Sequence, residues 1–300
     1  MLFFKVGRER STLIFSAGVS GFFAFTGILC GLWTGSLAIL FDGAYSSVSL
    51  VLSLLSVMAL RWSGLPASNH FNFGRILAEP LVIAIKGFII LLVCLISLLS
   101  ALNALMTGGR EIVADMATGF AFFSVMGCVF TWRYLQYCNL IHQSALVDAE
   151  AKQWCMDSLL SAAVLLGLLI AWGMTWTAYA HWAVYVDPLL VVLVSVYIMA
   201  VPVRMMLQGM GEIMMMSPKP ELRKRVYRSL SEIGIQPSQS KMAKVGSYLL
   251  LEVSIGVEHV QQMEGLQQRI DQQFGDFPLE VKTQILFYPK WPRGAVSLLR

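Results

Sequence analysis

The stretch LFDGAYSSVS at residues 40–49 places an aspartate, a tyrosine and serines inside a long apolar run. An ionisable side chain near the middle of a membrane span costs at least about 2.5 kcal/mol on insertion scales, so it is by default a pointer to function. On a helix, positions three and four apart share a face. Asp42, Tyr45, Ser46 and Ser49 therefore make one polar stripe. Glu150, Gln153, Asp157 and Ser161 make a second at the same spacing. Two helices presenting oxygen-rich stripes to each other enclose a cavity for a cation. Serines on such stripes also serve as packing contacts between helices, and for Ser46 and Ser161 both readings stand.

The elements that carry these stripes follow from composition. Of the 300 residues, 57% are hydrophobic and only 13% charged, whereas soluble domains carry about a quarter charged residues. This is the composition of a polytopic membrane protein. Six apolar runs, near 12–33, 36–60, 78–102, 115–135, 155–177 and 182–203, approach the roughly 20 residues that a spanning helix needs. The first is too long, and too poor in cleavage-site character, for a removable signal peptide. With six spans, Lys5, Arg8, Arg10, Arg61, Arg75, Arg133, Lys152 and Arg204 fall on one side and Arg110 on the other. The positive-inside rule then puts both termini in the cytoplasm.

The chain divides into a membrane part, 1–210, and a small cytoplasmic α+β domain, 211–300. In the latter, Leu222, Val226, Leu230 and Ile233 recur at helical spacing, as do Val260, Met263, Leu266, Ile270 and Phe274. Leu249, Leu251, Val253 and Ile255 alternate as on a half-buried strand. The predicted order is helix–strand–strand–helix–strand, a sheet covered on one face by helices. Cys30, Cys94, Cys128, Cys138 and Cys155 lie in or beside spans without a CxxC pair, so they define neither a disulfide framework nor a zinc finger. No nucleophile–base pair, histidine cluster, P-loop or nucleic-acid signature is present, which argues against an enzyme or a nucleic-acid partner.

Four segments in order carry a resemblance. SLAILFDGAYSSVS resembles the second-span signature of the cation diffusion facilitator family, FNFGRILAEP its loop signature (with Phe73, Gly74, Ala78 and Glu79), EAKQWCMDSLLSAAV its fifth-span signature, and YVDPLLVVLVSVYI, with Asp187 and Pro188, the start of its sixth span. The resemblance implies six transmembrane helices followed by a metallochaperone-like (ferredoxin-like) domain. It further implies a homodimer in the bilayer that exports a divalent metal cation against protons by alternating access. The lack of a long histidine-rich loop or of targeting features suggests a bacterial inner membrane. No cofactor is expected beyond the transported ion.

This chain departs from the pattern at the ligands. The family's span-two pair becomes Tyr45 and Ser49, its span-five pair Gln153 and Asp157, and its loop histidine Arg75. Asp42, one turn before Tyr45, is the expected replacement carboxylate. The metal set is therefore Asp42, Tyr45, Ser46, Ser49, Gln153 and Asp157. Zinc prefers nitrogen and sulfur, and oxygen donors suit harder ions, so Mg²⁺ or Mn²⁺ is favoured among Mg, Mn, Fe, Co and Zn. The eroded ligand set also keeps alive a non-transporting or regulatory relative with the same fold.

Glu79, Lys86 and Glu150 are candidates for proton coupling or charge balance. Lys86 suits an ammonium snorkelling to the cytoplasmic interface; the sharper alternative pairs it with a site carboxylate. The methionines of RMMLQGMGEIMMMSP read as flexible apolar packing, Glu258 and His259 as a surface turn, and Arg223, Lys224 and Arg225 as a solvated helix face.

Overall fold

The computed structural model describes residues 2–34, 37–65, 68–71, 74–109, 114–142, 144–174, 176–177, 180–256, 263–275 and 280–288. Phe73, Arg110, Glu258, His259 and Val260 lie outside the described residues. Two compact units result, residues 1–210 and 211–300.

The first unit is helical: α1 (Leu2–Thr34), α2 (Leu37–Ser63), α3 (Ala78–Met106), α4 (Ala114–His142), α5 (Ala145–Met174), α6 (Ala183–Ile198) and the start of α7 (Ala200–Ile213). Among the described residues, the helical stretches long and apolar enough to cross a membrane are Glu9–Trp33, Asp42–Ser63, Ala78–Met106, Ala145–Met174 and Ala180–Ile213, five in all. α4 has the length, at 29 residues, but Thr131, Arg133, Gln136 and Asn139 interrupt its apolar character. α5 begins at Ala145, well ahead of the apolar run expected from 155. Ala, Glu, Lys and Gln are all good helix formers, so the polar segment ahead of that run continues the same helix and brings Glu150 and Gln153 onto it.

Small residues decide how closely these helices approach. A Cβ on Gly43 would lie 2.5 Å from the backbone nitrogen of Ile28, and one on Gly31 would lie 2.6 Å from that of Leu40. α1 and α2 are thus in backbone contact, a packing that only glycine permits. α3 meets α7 in the same way: a Cβ on Gly87 would come within 2.6 Å of the Met206 nitrogen, and one on Gly209 within 2.7 Å of the Ala84 nitrogen. The interior between the helices is filled by Leu13, Leu52, Ile83, Ile90, Leu135, Leu146, Val147 and Trp154, all buried.

In the second unit, α8 (Pro220–Glu232), β1 (Ser240–Val245), β2 (Tyr248–Gly256), α9 (Met263–Phe274) and β3 (Glu280–Tyr288) follow the order expected from the sequence. β1 pairs antiparallel with β2, and β2 pairs parallel with β3. Leu249, Leu251 and Val253 alternate into a core with Val226 and Leu230 of α8 and Ile270 and Phe274 of α9. Glu212, at the end of α7, accepts 2.9 Å hydrogen bonds from Lys244 Nζ and the Gly246 backbone, holding the β1–β2 turn. The methionine run divides in two: Met205 is buried, while Met214, Met215 and Met216 are exposed.

Adding a branched side chain at Gly43 forces α1 and α2 apart. Gly43→Val is expected to destabilise the protein by about 1–3 kcal/mol, seen as a lower thermal midpoint in detergent. Gly18→Val, where a Cβ meets nothing within 4 Å, is the control and leaves the midpoint unchanged or higher.

Candidate functional site

α2 and α5 bring their stripes together. The Tyr45 hydroxyl donates a short hydrogen bond to Asp157 Oδ1, joining positions from the two helices that were singled out by spacing alone. Asp157 is buried at 9% exposure, and Ser49 and Gln153 are buried beside the same faces. Among the described residues, Gln153 Oε1 is shielded from solvent and receives no hydrogen bond, one turn from Asp157 on α5. Such an orphan costs about 1–3 kcal/mol, so it marks a place where a donor or a cation belongs. Asp42 is half-buried and close enough to act on Asp157 electrostatically. Tyr45 and Ser46 are half-buried.

The other charge-bearing candidates separate. Glu79, buried on α3, accepts a 2.8 Å hydrogen bond from Ser63. Lys86 and Glu150 form an ion pair with both side chains fully buried. The snorkelling expected of Lys86 is therefore wrong: its position on the α3 face that meets α5 puts a carboxylate within reach, and an ammonium paired inside has no cause to extend outward. Glu150 Oε2 also accepts 2.8 Å hydrogen bonds from Ser16 of α1 and Ser53 of α2. Ser16 in turn accepts a 2.8 Å bond from Trp154 Nε1. Breaking such a pair from one side leaves a buried charge uncompensated.

Ser16, Ser53 and Trp154 were not among the residues singled out from the sequence. Two signals existed. Glu9, Thr12, Ser16 and Ser20 recur at spacings of three and four on α1, and all are buried. On α2 the Asp42–Ser49 stripe continues through Ser53 and Ser56, both fully buried. Cys94 of α3 and Cys128 of α4, also buried, lie within the electrostatic reach of Asp157; a search confined to the stripes of spans two and five passes over them. Among the described residues, no group of three or more His, Cys, Asp or Glu side chains is close enough to hold a metal ion. Any cation here also needs the phenol, hydroxyl and amide oxygens.

The described residues thus form a bundle of apolar helices, with the Tyr45–Asp157 pair between the second and fifth of them, and a small sheet domain after it in the chain. The model of the cation efflux transmembrane domain matches residues 13–214, and the chain belongs to that family, the cation diffusion facilitators, which are transporters and not enzymes. It is similar to zinc transporter ttm-1 of Caenorhabditis elegans, 27% identical over 132 residues, which cover 42% of this chain and 32% of that protein. It is also similar to zinc transporter ZitB of Escherichia coli (strain K12), 21% identical over 225 residues, or 74% of this chain and 69% of ZitB. The match thus spans about a third of one relative and about two thirds of the other.

The pair's energetics give a test. Glu150→Leu alone strands the Lys86 ammonium and is expected to cost about 3–5 kcal/mol, whereas Lys86→Met combined with Glu150→Leu is neutral or milder than either single change. Denaturation of the three purified variants in the same detergent measures the order.

Proposed function

We propose that this chain carries a divalent metal cation out of the cytoplasm, by proton antiport and alternating access, through a site between α2 and α5. The observation that carries the reading is the Tyr45–Asp157 hydrogen bond. It joins one position of the family's second-span ligand pair to one of its fifth-span pair, and the Gln153 oxygen, unsatisfied among the described residues, lies one turn away. Asp42, Tyr45, Ser46, Ser49, Gln153 and Asp157 supply the donors. When a cation arrives, the phenolic hydrogen turns away from Asp157, which frees that carboxylate as a ligand and leaves the phenol oxygen able to coordinate. In this reading α4 also crosses the bilayer, as the fourth of six spans, both termini are cytoplasmic, and the protein is a homodimer of a bacterial inner membrane. Residues 211–300 form its metallochaperone-like cytoplasmic domain.

The donors are oxygens, which suit Mg²⁺ or Mn²⁺ better than Zn²⁺. The relatives are named for zinc, and Cys94 and Cys128 are the side chains through which a softer ion would be favoured. The alternative, a relative that keeps the fold without transport, draws on the absence of a three-residue cluster of His, Cys, Asp or Glu among the described residues.

Flux in proteoliposomes under an imposed pH gradient, screened over Mg²⁺, Mn²⁺, Fe²⁺, Co²⁺, Zn²⁺ and Cd²⁺, decides among them. The expected result is saturable flux of a hard ion that falls by roughly 10²-fold in Asp157→Asn and at least tenfold in Asp42→Asn, since each removes one charged ligand. Tight zinc binding abolished by Asp157→Ala would sink the hard-ion preference. No flux of any ion from folded protein favours the non-transporting relative.

A further inference from the structure

The hydrogen-bond network around Glu150 orients every neighbouring hydroxyl toward it. An indole N–H only donates, so Ser16 Oγ accepts from Trp154 and spends its single hydrogen on Glu150 Oε2. Ser53 gives its hydrogen to the same oxygen. The other oxygen faces the Lys86 ammonium. Both hydroxyls donate to Glu150 and the Lys86 side chain faces its other oxygen, the arrangement of a carboxylate opposite an ammonium. A carboxylate offers about four lone-pair sites, and three of these are taken.

Glu150 lies on the face of α5 that carries Gln153 and Asp157. Released from Lys86, it is a third carboxylate on that face. As paired, it faces the Lys86 ammonium and has three of its roughly four acceptor sites taken. The charges acting on Asp157 include Asp42, Glu150 and Lys86. Of these three acids Glu150 faces the ammonium, and Asp42 and Asp157, when ionised, carry the charge that one divalent cation neutralises. A site of higher negative charge holds its ion more tightly, and a carrier must also release it.

We propose that Lys86 is a specificity-determining residue of the cation site: its ammonium keeps Glu150 out of the ligand set and limits the passage to one loosely held divalent cation. This rests on the transport reading above. The ion pair is a permanent part of the site's charge, present in the empty and loaded states alike, and Ser16, Ser53 and Trp154 hold it in place.

The test is equilibrium binding of Mn²⁺ and Zn²⁺, added as the metals alone, to the purified full chain by titration calorimetry. Lys86→Gln and Lys86→Met are expected to bind at least about tenfold more tightly than wild type. The double variant Lys86→Met with Glu150→Leu returns to within about threefold of wild type. Folded Lys86→Gln with unchanged or weaker affinity overturns the proposal. So does a double variant that binds tenfold more weakly than wild type, and this arm needs neither single variant to fold. Wild-type binding lost in Asp157→Asn, with Lys86→Gln unchanged, keeps the transport reading and removes this one. Binding by Lys86→Gln but not by wild type does the reverse, and binding by none of them removes both.

Discussion

A charge buried among apolar helices is tolerable only with an opposite charge and hydrogen bonds around it. Lys86 and Glu150 meet that condition by drawing on α1, α2, α3 and α5 together: the ammonium from one helix, the carboxylate and indole from another, and a hydroxyl from each of the remaining two. Isolated, either charge costs several kcal/mol. The pair therefore acts as an orientational constraint on four helices whose apolar faces would otherwise accept many rotations. Packing contacts do not impose this, because leucine against leucine is about as favourable as leucine against lipid.

Glycine sets the complementary constraint, distance. α1 and α2 touch backbone to backbone at Gly43 and Gly31, and α3 and α7 touch at Gly87 and Gly209. Gly43 directly follows Asp42, so this backbone contact of α2 lies beside one of the acids of the candidate site. Close contact fixes the depth and angle of the helix that carries Asp42, Tyr45 and Ser49. The hydrogen bond from Tyr45 to Asp157 then spans a gap whose width is decided by those contacts.

The site was legible in the sequence where periodicity alone decides. Spacings of three and four placed Tyr45 and Asp157 on faces that meet, and the alternation at Leu249, Leu251 and Val253 gave the buried face of β2. What spacing does not carry is which helix lies opposite which. Lys86 read naturally as a snorkelling ammonium because its partner lies 64 residues later, on another helix. The stripes themselves were also truncated: Ser53 and Ser56 extend the one on α2, and Ser16 belongs to an unremarked one on α1. A serine in an apolar helix is so often mere packing that its spacing to an acid on the same helix draws attention, and its spacing to an acid on a different helix has none to offer. The apolar run from 155 is shorter than α5 because hydropathy reports where lipid is and the helix extends beyond it, as the stripe that starts at Glu150 already implied.

The separation of the two charges along the chain has a consequence for biosynthesis. Glu150 is synthesised 64 residues after Lys86. At about 5–20 residues per second, Lys86 waits roughly 3–13 s for its counter-ion. An unpaired lysine near a helix centre opposes insertion by about 2.5–3.5 kcal/mol, and each Leu, Ile, Phe or Val returns about 0.3–0.6. α3 is the most apolar of the candidate spans, so it can be inserted with its ammonium still alone. Its excess of hydrophobicity is what carries the lysine through the interval before α5 arrives.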